Sequence, residues 1–167
     1  MASRRRTLDA PAVIVIEDDI DARRMYSEYL RSKGWTVFTA ADGRSGLNKT
    51  TELTPDALVL DLAMPIVDGW TVLKHVRESS LTAHIPVVVV SAVSEARDDA
   101  FAAGCDAYLV KPCAPDELLQ VVQGLRRSEQ GDARRLEAVH EERPPLEVER
   151  VAAGQIHPEE DAGGDRP

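Results

Sequence analysis

Between residues 12 and 127, short apolar runs alternate with longer stretches in which apolar residues recur every three or four positions. Ala12-Val13-Ile14-Val15-Ile16 is unbroken and stops at Glu17-Asp18-Asp19. An apolar run without polar alternation predicts a strand buried on both faces. From Asp21 to Lys33 the residues Met25, Tyr26, Tyr29 and Leu30 fall at helical spacing, and Gly34 supplies a stop. Trp35 to Ala40 predicts a second strand, and Gly43 to Thr51 a short helix with Leu47 as its main apolar contact. Ala57 to Leu60 predicts a third strand ending at Asp61, followed by a helix from Trp70 to Ser79 that turns Val72, Leu73 and Val76 inward. Val87 to Val90 is a fourth strand ending at Ser91, and Ala96 to Ala103 a helix closed by Gly104. Ala107 to Val110 is a fifth strand ending at Lys111-Pro112. Pro115 opens the last helix, at the position where a missing N–H costs nothing, and its stripe is Leu118, Leu119, Val122 and Leu125.

Five strand–helix units in strict alternation predict an α/β fold, a doubly wound five-stranded parallel sheet with helices on both faces. Right-handed crossovers leave few topologies, and the flavodoxin-like order 2-1-3-4-5 is the expectation. After Arg127 the pattern fails. The expected organisation is a flexible N-terminus over 1–10, one domain over 11–128 and an acidic, mostly disordered tail over 129–167. Within that tail a short helix around Ala133 to Glu142 is bounded by Gly131 and Pro144-Pro145.

Apolar residues make up 43% of the chain but aromatics only 4%, so the core has to be built from Val, Leu, Ile and Ala. The net charge of −9 divides into −3 over residues 1–128 and −6 over residues 129–167. An acidic chain is a poor general nucleic-acid binder, because phosphate contacts need Lys and Arg, and direct nucleic-acid binding is not expected. The Arg4-Arg5-Arg6 run reads as a solvated terminus. No apolar run approaches the length of a membrane helix, and no signal-peptide core follows the basic start. Cys105 and Cys113 are too few for a disulfide framework. The expectation is a cytoplasmic protein without a membrane partner.

Candidate chemistry lies at the strand ends. In open parallel sheets ligands bind beyond the carboxyl ends of the strands, and here those ends carry Glu17-Asp18-Asp19, Asp61, Ser91 and Lys111. In the order 2-1-3-4-5 the first and third strands are neighbours, so Glu17, Asp18 and Asp61 converge. Three carboxylates in one pocket repel unless a cation sits among them. All-oxygen donors without nearby sulfur or imidazole favour Mg²⁺ over zinc. Lys111 and Ser91 would serve further phosphoryl oxygens, and Asp61 is a candidate nucleophile through an acyl phosphate. Each residue has a plainer reading: strand-stopping acids favoured by a helix dipole, a turn acid before Met64-Pro65, a loop cap, a solvated lysine. Four such signals at four strand ends in one chain are hard to obtain by chance. His75, His84, His140 and His157 show no ligand spacing, and Trp35 and Trp70 read as packing residues.

These segments resemble those of response-regulator receiver domains. Val13 to Asp19 is similar to the family's first-strand acidic motif, and Val59-Leu60-Asp61-Leu62-Ala63-Met64-Pro65-Ile66-Val67-Asp68-Gly69 to its phosphoacceptor segment. Val88 to Ala92 resembles the Ser/Thr-Ala switch segment, and Ala107 to Pro112 the Lys-Pro segment. The resemblance covers about residues 11–127, in order and spacing. It implies that Asp61 accepts phosphate from a histidine kinase or phosphotransfer protein. It also implies that Asp18 is the direct Mg²⁺ ligand, that Glu17 acts through water, and that Asp61 and the Ala63 backbone carbonyl complete the protein's ligands. Ser91 and Lys111 would meet the phosphoryl group, Tyr108 would be the switch aromatic coupled to Ser91, and the Lys111-Pro112 bond would be cis. Ala63 and Val93, both apolar, imply that autodephosphorylation is not especially fast. Cys113, where the family often has an aromatic, reads as packing rather than as a redox thiol.

The expectation is a stand-alone receiver that is no enzyme beyond its own phosphotransfer and dephosphorylation, signalling to a downstream protein by contact. A homodimer through the face of the fourth helix, fifth strand and fifth helix is compatible with it. Two other readings compete: an interaction module that works without phosphorylation, and a Mg²⁺-dependent aspartyl-phosphate phosphatase. Ala63 weighs against the second, where a phosphatase usually has another acid.

Overall fold

The computed structural model describes residues 10–131 of the 167-residue chain. Five strands, β1 (Ala12–Ile16), β2 (Thr36–Ala40), β3 (Ala57–Leu60), β4 (Val87–Ser91) and β5 (Ala107–Val110), alternate with α1 (Ile20–Ser32), α2 (Gly43–Leu53), α3 (Gly69–Glu78), α4 (Arg97–Ala102) and α5 (Pro115–Gly131). The sheet is parallel throughout, in the order β2-β1-β3-β4-β5. Ile16 of β1 stands opposite Leu60 of β3, which sets Glu17 beside Asp61.

The unbroken apolar runs are buried on both faces, as their composition requires. Ile14, Ile16, Leu58, Leu60, Val87 and Val89 pack with Val72, Leu73 and Val76 of α3 and Ala100 of α4. On the opposite face Val13, Val15, Val59, Val88 and Val90 pack with Tyr26 and Leu30 of α1 and Leu118, Leu119 and Val122 of α5. Each buried Val, Leu or Ile contributes about 1.5–3 kcal/mol.

Aspartates start three of the helices. Asp19, Asp42 and Asp68 accept the N–H of Ala22, Ser45 and Thr71 at 2.7, 2.8 and 2.8 Å, satisfying donors that a first turn leaves over. Gly34 ends α1 with φ +87, a conformation that costs other residues steric strain. Arg77, near the end of α3, donates to the carbonyls of Gly104 (2.6 Å) and Ile85 (2.8 Å) and to Asp106 Oδ2 (2.6 Å), which also accepts the Val87 N–H. One guanidinium thus ties α3 to the starts of β4 and β5.

Four details differ from the periodicity reading. Met25 is 42% exposed, because the buried line of α1 runs through Tyr26 and Leu30 and leaves Met25 at its edge. The fourth helix is preceded by a 3-10 turn over Ser94–Ala96. α2 runs on to Leu53, and its Thr50 is fully buried because the hydroxyl donates back to the Gly46 carbonyl at 2.8 Å. α5 continues to Gly131, beyond the end of its apolar stripe and into the stretch read as tail. The readings for residues 1–9 and 132–167 lie outside the described residues.

Candidate functional site

All the polar residues singled out at the strand ends lie at one edge of the sheet. β1 ends as the Glu17 N–H donates to the Ala40 carbonyl at 3.0 Å, and the Asp61 N–H donates to the Ile16 carbonyl at 3.0 Å. These two bonds fix the backbone from which Glu17 and Asp61 project. Glu17 is 2% and Asp61 4% exposed, whereas Asp18 is exposed. The three carboxylates each offer an oxygen within 4.8 Å of the others.

Lys111 comes in from the end of β5. Its ammonium lies 2.9 Å from Glu17 Oε2 and 2.9 Å from Asp61 Oδ2. Asp61 Oδ1 accepts the Ala63 N–H at 3.1 Å, so both oxygens of this carboxylate are engaged. Burial pushes the Glu17 carboxyl up; the hydrogen bond from Lys111 opposes this, the charge of Asp61 adds to it, and the net direction is upward. Burial alone would push the Lys111 ammonium down, but its hydrogen bonds to Glu17 and Asp61 and their charges outweigh that and raise it. Lys111 is therefore a firmly charged ammonium at neutral pH.

Ser91 is fully buried at the end of β4, where its Oγ accepts the Val93 N–H at 3.3 Å and its carbonyl accepts the Lys111 N–H at 2.9 Å. Tyr108 is 5% exposed; its hydroxyl donates to the Val93 carbonyl, and the Arg97 guanidinium lies 5.7 Å from its ring centroid. Ser91, Val93 and Tyr108 are thus joined through the loop that follows β4. The Lys111-Pro112 bond is cis.

Three carboxylates against one ammonium leave a formal charge of −2 in a pocket whose side-chain donors are all oxygen. That is the donor set and charge of a site for a hard divalent cation such as Mg²⁺, held by Glu17, Asp18 and Asp61. Chemically, the pocket offers a carboxylate oxygen at Asp61 with a fixed cation beside it.

Cys105 and Cys113 are both buried and free, and burial pushes each thiol up to about 12. Neither has the thiolate character of a reactive cysteine, so Cys113 packs, as expected. Sequence reasoning missed Arg23. From α1, its Nη1 donates to the backbone carbonyls of Glu17 (2.6 Å) and Asp18 (3.0 Å). A basic residue on an amphipathic helix reads as solvated, and only its position four residues after the cap Asp19 hinted at the loop. Among the described residues no helix is long and apolar enough to cross a membrane.

Comparison with known proteins agrees with this geometry. The family model of the response regulator receiver domain matches residues 13–123. The transcriptional regulatory protein PrrA of Mycobacterium leprae is 42% identical over 123 residues, which cover 72% of this chain and 52% of PrrA. The DNA-binding dual master transcriptional regulator RpaA of Synechocystis is 37% identical over 119 residues, covering 70% of this chain and 49% of RpaA. The chain spans about half the length of the curated relatives it matches. Chemotaxis protein CheY4 of Vibrio cholerae superposes with a TM-score of 0.65 at 32% identity, over 70% of this chain and 98% of CheY4. The receiver domain of the sensor histidine kinase PA1611 of Pseudomonas aeruginosa, solved with magnesium coordinated in its active-site cleft, superposes with a TM-score of 0.66 at 25% identity, over 71% of this chain and 99% of that one. With the fold, the strand-end residues and the family match in agreement, the chain belongs to the response regulator receiver domains of two-component signal transduction.

Proposed function

We propose that this receiver takes a phosphoryl group on Asp61 from the phosphohistidine of a histidine kinase or phosphotransfer protein, and that it signals through contact with a downstream protein. The observation that supports this most directly is the setting of Asp61. It is buried at the end of β3, with Oδ2 on Lys111 at 2.9 Å and Oδ1 on the Ala63 N–H at 3.1 Å, next to Glu17 and Asp18. In the transfer, an Asp61 oxygen forms the new P–O bond as the P–N bond to the donor imidazole breaks, and the imidazole leaves with the electron pair. Lys111 then pairs with a phosphoryl oxygen and Ser91 donates its hydroxyl to another. Glu17, Asp18, Asp61 and the Ala63 carbonyl would hold Mg²⁺, which neutralises phosphoryl charge when bound.

The added charge and acceptor oxygens favour a different arrangement of the loop after β4. Because Val93 in that loop carries the Tyr108 hydroxyl bond, Ser91 and Tyr108 move as a coupled pair, and the surface of α4, β5 and α5 changes with them. The output proposed is protein–protein contact by this domain, in the cytoplasm; DNA binding is in the name of RpaA, of whose length the match covers 49%.

The test is incubation with Mg²⁺ and acetyl phosphate, followed by detection of a base-labile, acid-stable phosphoprotein. An adduct on the wild-type chain that Asp61→Asn abolishes is expected. An adduct that persists in Asp61→Asn, or none on the wild type, overturns the proposal, and turnover of many donor equivalents points to a phosphatase instead.

A further inference from the structure

The loop that supplies two of the three carboxylates is fastened from outside the sheet. Its last ladder bonds are the Glu17 N–H to Ala40 and the Ile16 carbonyl to Asp61. Beyond them the carbonyls of Glu17 and Asp18 turn to a single group, Nη1 of Arg23, at 2.6 and 3.0 Å. Arg23 is itself well held. Its N–H donates to the Asp19 carbonyl at 3.0 Å, and its own carbonyl accepts the Ser27 hydroxyl. Asp19 is in turn locked by capping Ala22 and by its N–H on Glu17 Oε1 at 3.3 Å. Two successive peptide planes are therefore set by one guanidinium, and the directions in which the Glu17 and Asp18 side chains leave the backbone are set with them.

We propose that Arg23 is a positioning residue for the acidic pocket, holding Glu17 and Asp18 in the alignment that receives a divalent cation. This rests on the reading of the pocket as a cation-dependent phosphoacceptor. Two effects of removing Arg23 oppose each other. Loss of a positive charge beside three carboxylates favours cation binding. Loss of the brace frees the two peptide planes and disfavours it, and partners that orient metal ligands are typically worth about 10–100-fold in affinity. The inference is that orientation outweighs charge, which fixes the sign of the result.

The experiment uses the full chain with Arg23→Met, Arg23→Lys and, as a control, Arg24→Met, whose guanidinium pairs with the exposed Glu28 at 2.7 Å. Mn²⁺ affinity is read from the free-ion electron paramagnetic resonance signal. The Mg²⁺ dependence of phosphorylation by acetyl phosphate is read in parallel, and urea unfolding reports on the fold. Arg23→Met is expected to weaken Mn²⁺ binding about tenfold and to raise the Mg²⁺ needed for half-maximal phosphorylation similarly, with excess Mg²⁺ restoring the rate. Arg23→Lys, which keeps the charge, is expected to fall between Arg23→Met and wild type, and Arg24→Met to match wild type. Unchanged or tighter Mn²⁺ binding by Arg23→Met overturns the inference while leaving Asp61 phosphorylation standing. A wild-type chain that binds Mn²⁺ but takes no phosphate overturns the phosphoacceptor reading alone, and one that binds neither overturns both. If Arg23→Met unfolds, Arg23→Lys decides: wild-type Mn²⁺ affinity in that variant overturns the inference.

Discussion

Gly69 opens α3, and its φ is not in the left-handed region, so it is not the backbone that calls for glycine there. The demand is for space. A Cβ at position 69 would lie 2.1 Å from the Asp61 carbonyl oxygen, 2.6 Å from Leu62 Cα and 2.9 Å from the Asp61 carbonyl carbon. Non-bonded carbons rest at about 3.5–4.0 Å, so Gly69→Ala must force the start of α3 and the end of β3 apart by roughly 1 Å. All three atoms are backbone and none can rotate away, and the bond from the Gly69 N–H to the Leu62 carbonyl, 3.1 Å, stretches as they part. Overpacking of this kind costs typically about 1–3 kcal/mol, against about 0.4–1 kcal/mol gained by restricting the unfolded chain. A net loss of about 1.3 kcal/mol is expected, read as a fall of the urea midpoint by about 0.6 M for a chain of this size. Gly34→Ala is the comparison. There φ is +87 with nothing within 4 Å of the added Cβ, so only the left-handed conformation is penalised, by about 1–2 kcal/mol before the same unfolded-chain gain. Gly69→Ala should also lose phosphorylation even where it is folded, because the displaced carbonyl belongs to Asp61, whereas Gly34→Ala should keep it. A Gly69→Ala protein with the wild-type midpoint and rate would refute the steric reasoning.

Three further outcomes are expected. Cys105 and Cys113 are protonated in the fold until about pH 12 but ionise near 9 when unfolded. The folded state therefore binds more protons over that window, and stability should fall as pH rises above 9, by up to about 1.4 kcal/mol per pH unit for each thiol. Urea titrations of Cys105→Ala and Cys113→Ala between pH 8 and pH 11 should show a flatter decline than wild type, and an equal slope would sink the assignment. Arg77→Met removes charged hydrogen bonds to Gly104, Ile85 and Asp106, an expected loss of about 2–4 kcal/mol in urea unfolding after allowance for partial solvation; less than about 1 kcal/mol would make the guanidinium a bystander. Ala63, whose N–H meets Asp61 Oδ1 at 3.1 Å, is exposed and apolar, so Ala63→Asn, which can orient a water, should speed decay of the phosphorylated protein, and an unchanged half-life would count against that.

The sheet was legible because its strands are unbroken apolar runs that stop at charged or hydroxyl residues, and that punctuation placed Glu17, Asp61, Ser91 and Lys111 at one edge. Periodicity marks which face of an element is apolar, not how much of that face its neighbours cover, which is why Met25 is exposed while Tyr26 and Leu30 are buried. It also carries no mark of long-range hydrogen bonds. Arg23 and Arg77 look like ordinary solvated bases on their helices, yet each acts on backbone carbonyls outside its own helix. Gly69 carries no mark of its own in the pattern, and only the contact with the Asp61 carbonyl shows the space it leaves.

The pocket also has a history during synthesis. Glu17 and Asp18 emerge first, Asp61 follows, and Lys111 arrives only with the end of β5, so the two buried acids wait without the ammonium that lies 2.9 Å from both in the finished fold. At roughly 5–20 residues per second, the stretch from Glu17 to Lys111 takes on the order of ten seconds to make. On the proposed phosphoacceptor reading, a ribosome-bound fragment ending before Lys111 lacks that ammonium and is expected to be inert to acetyl phosphate.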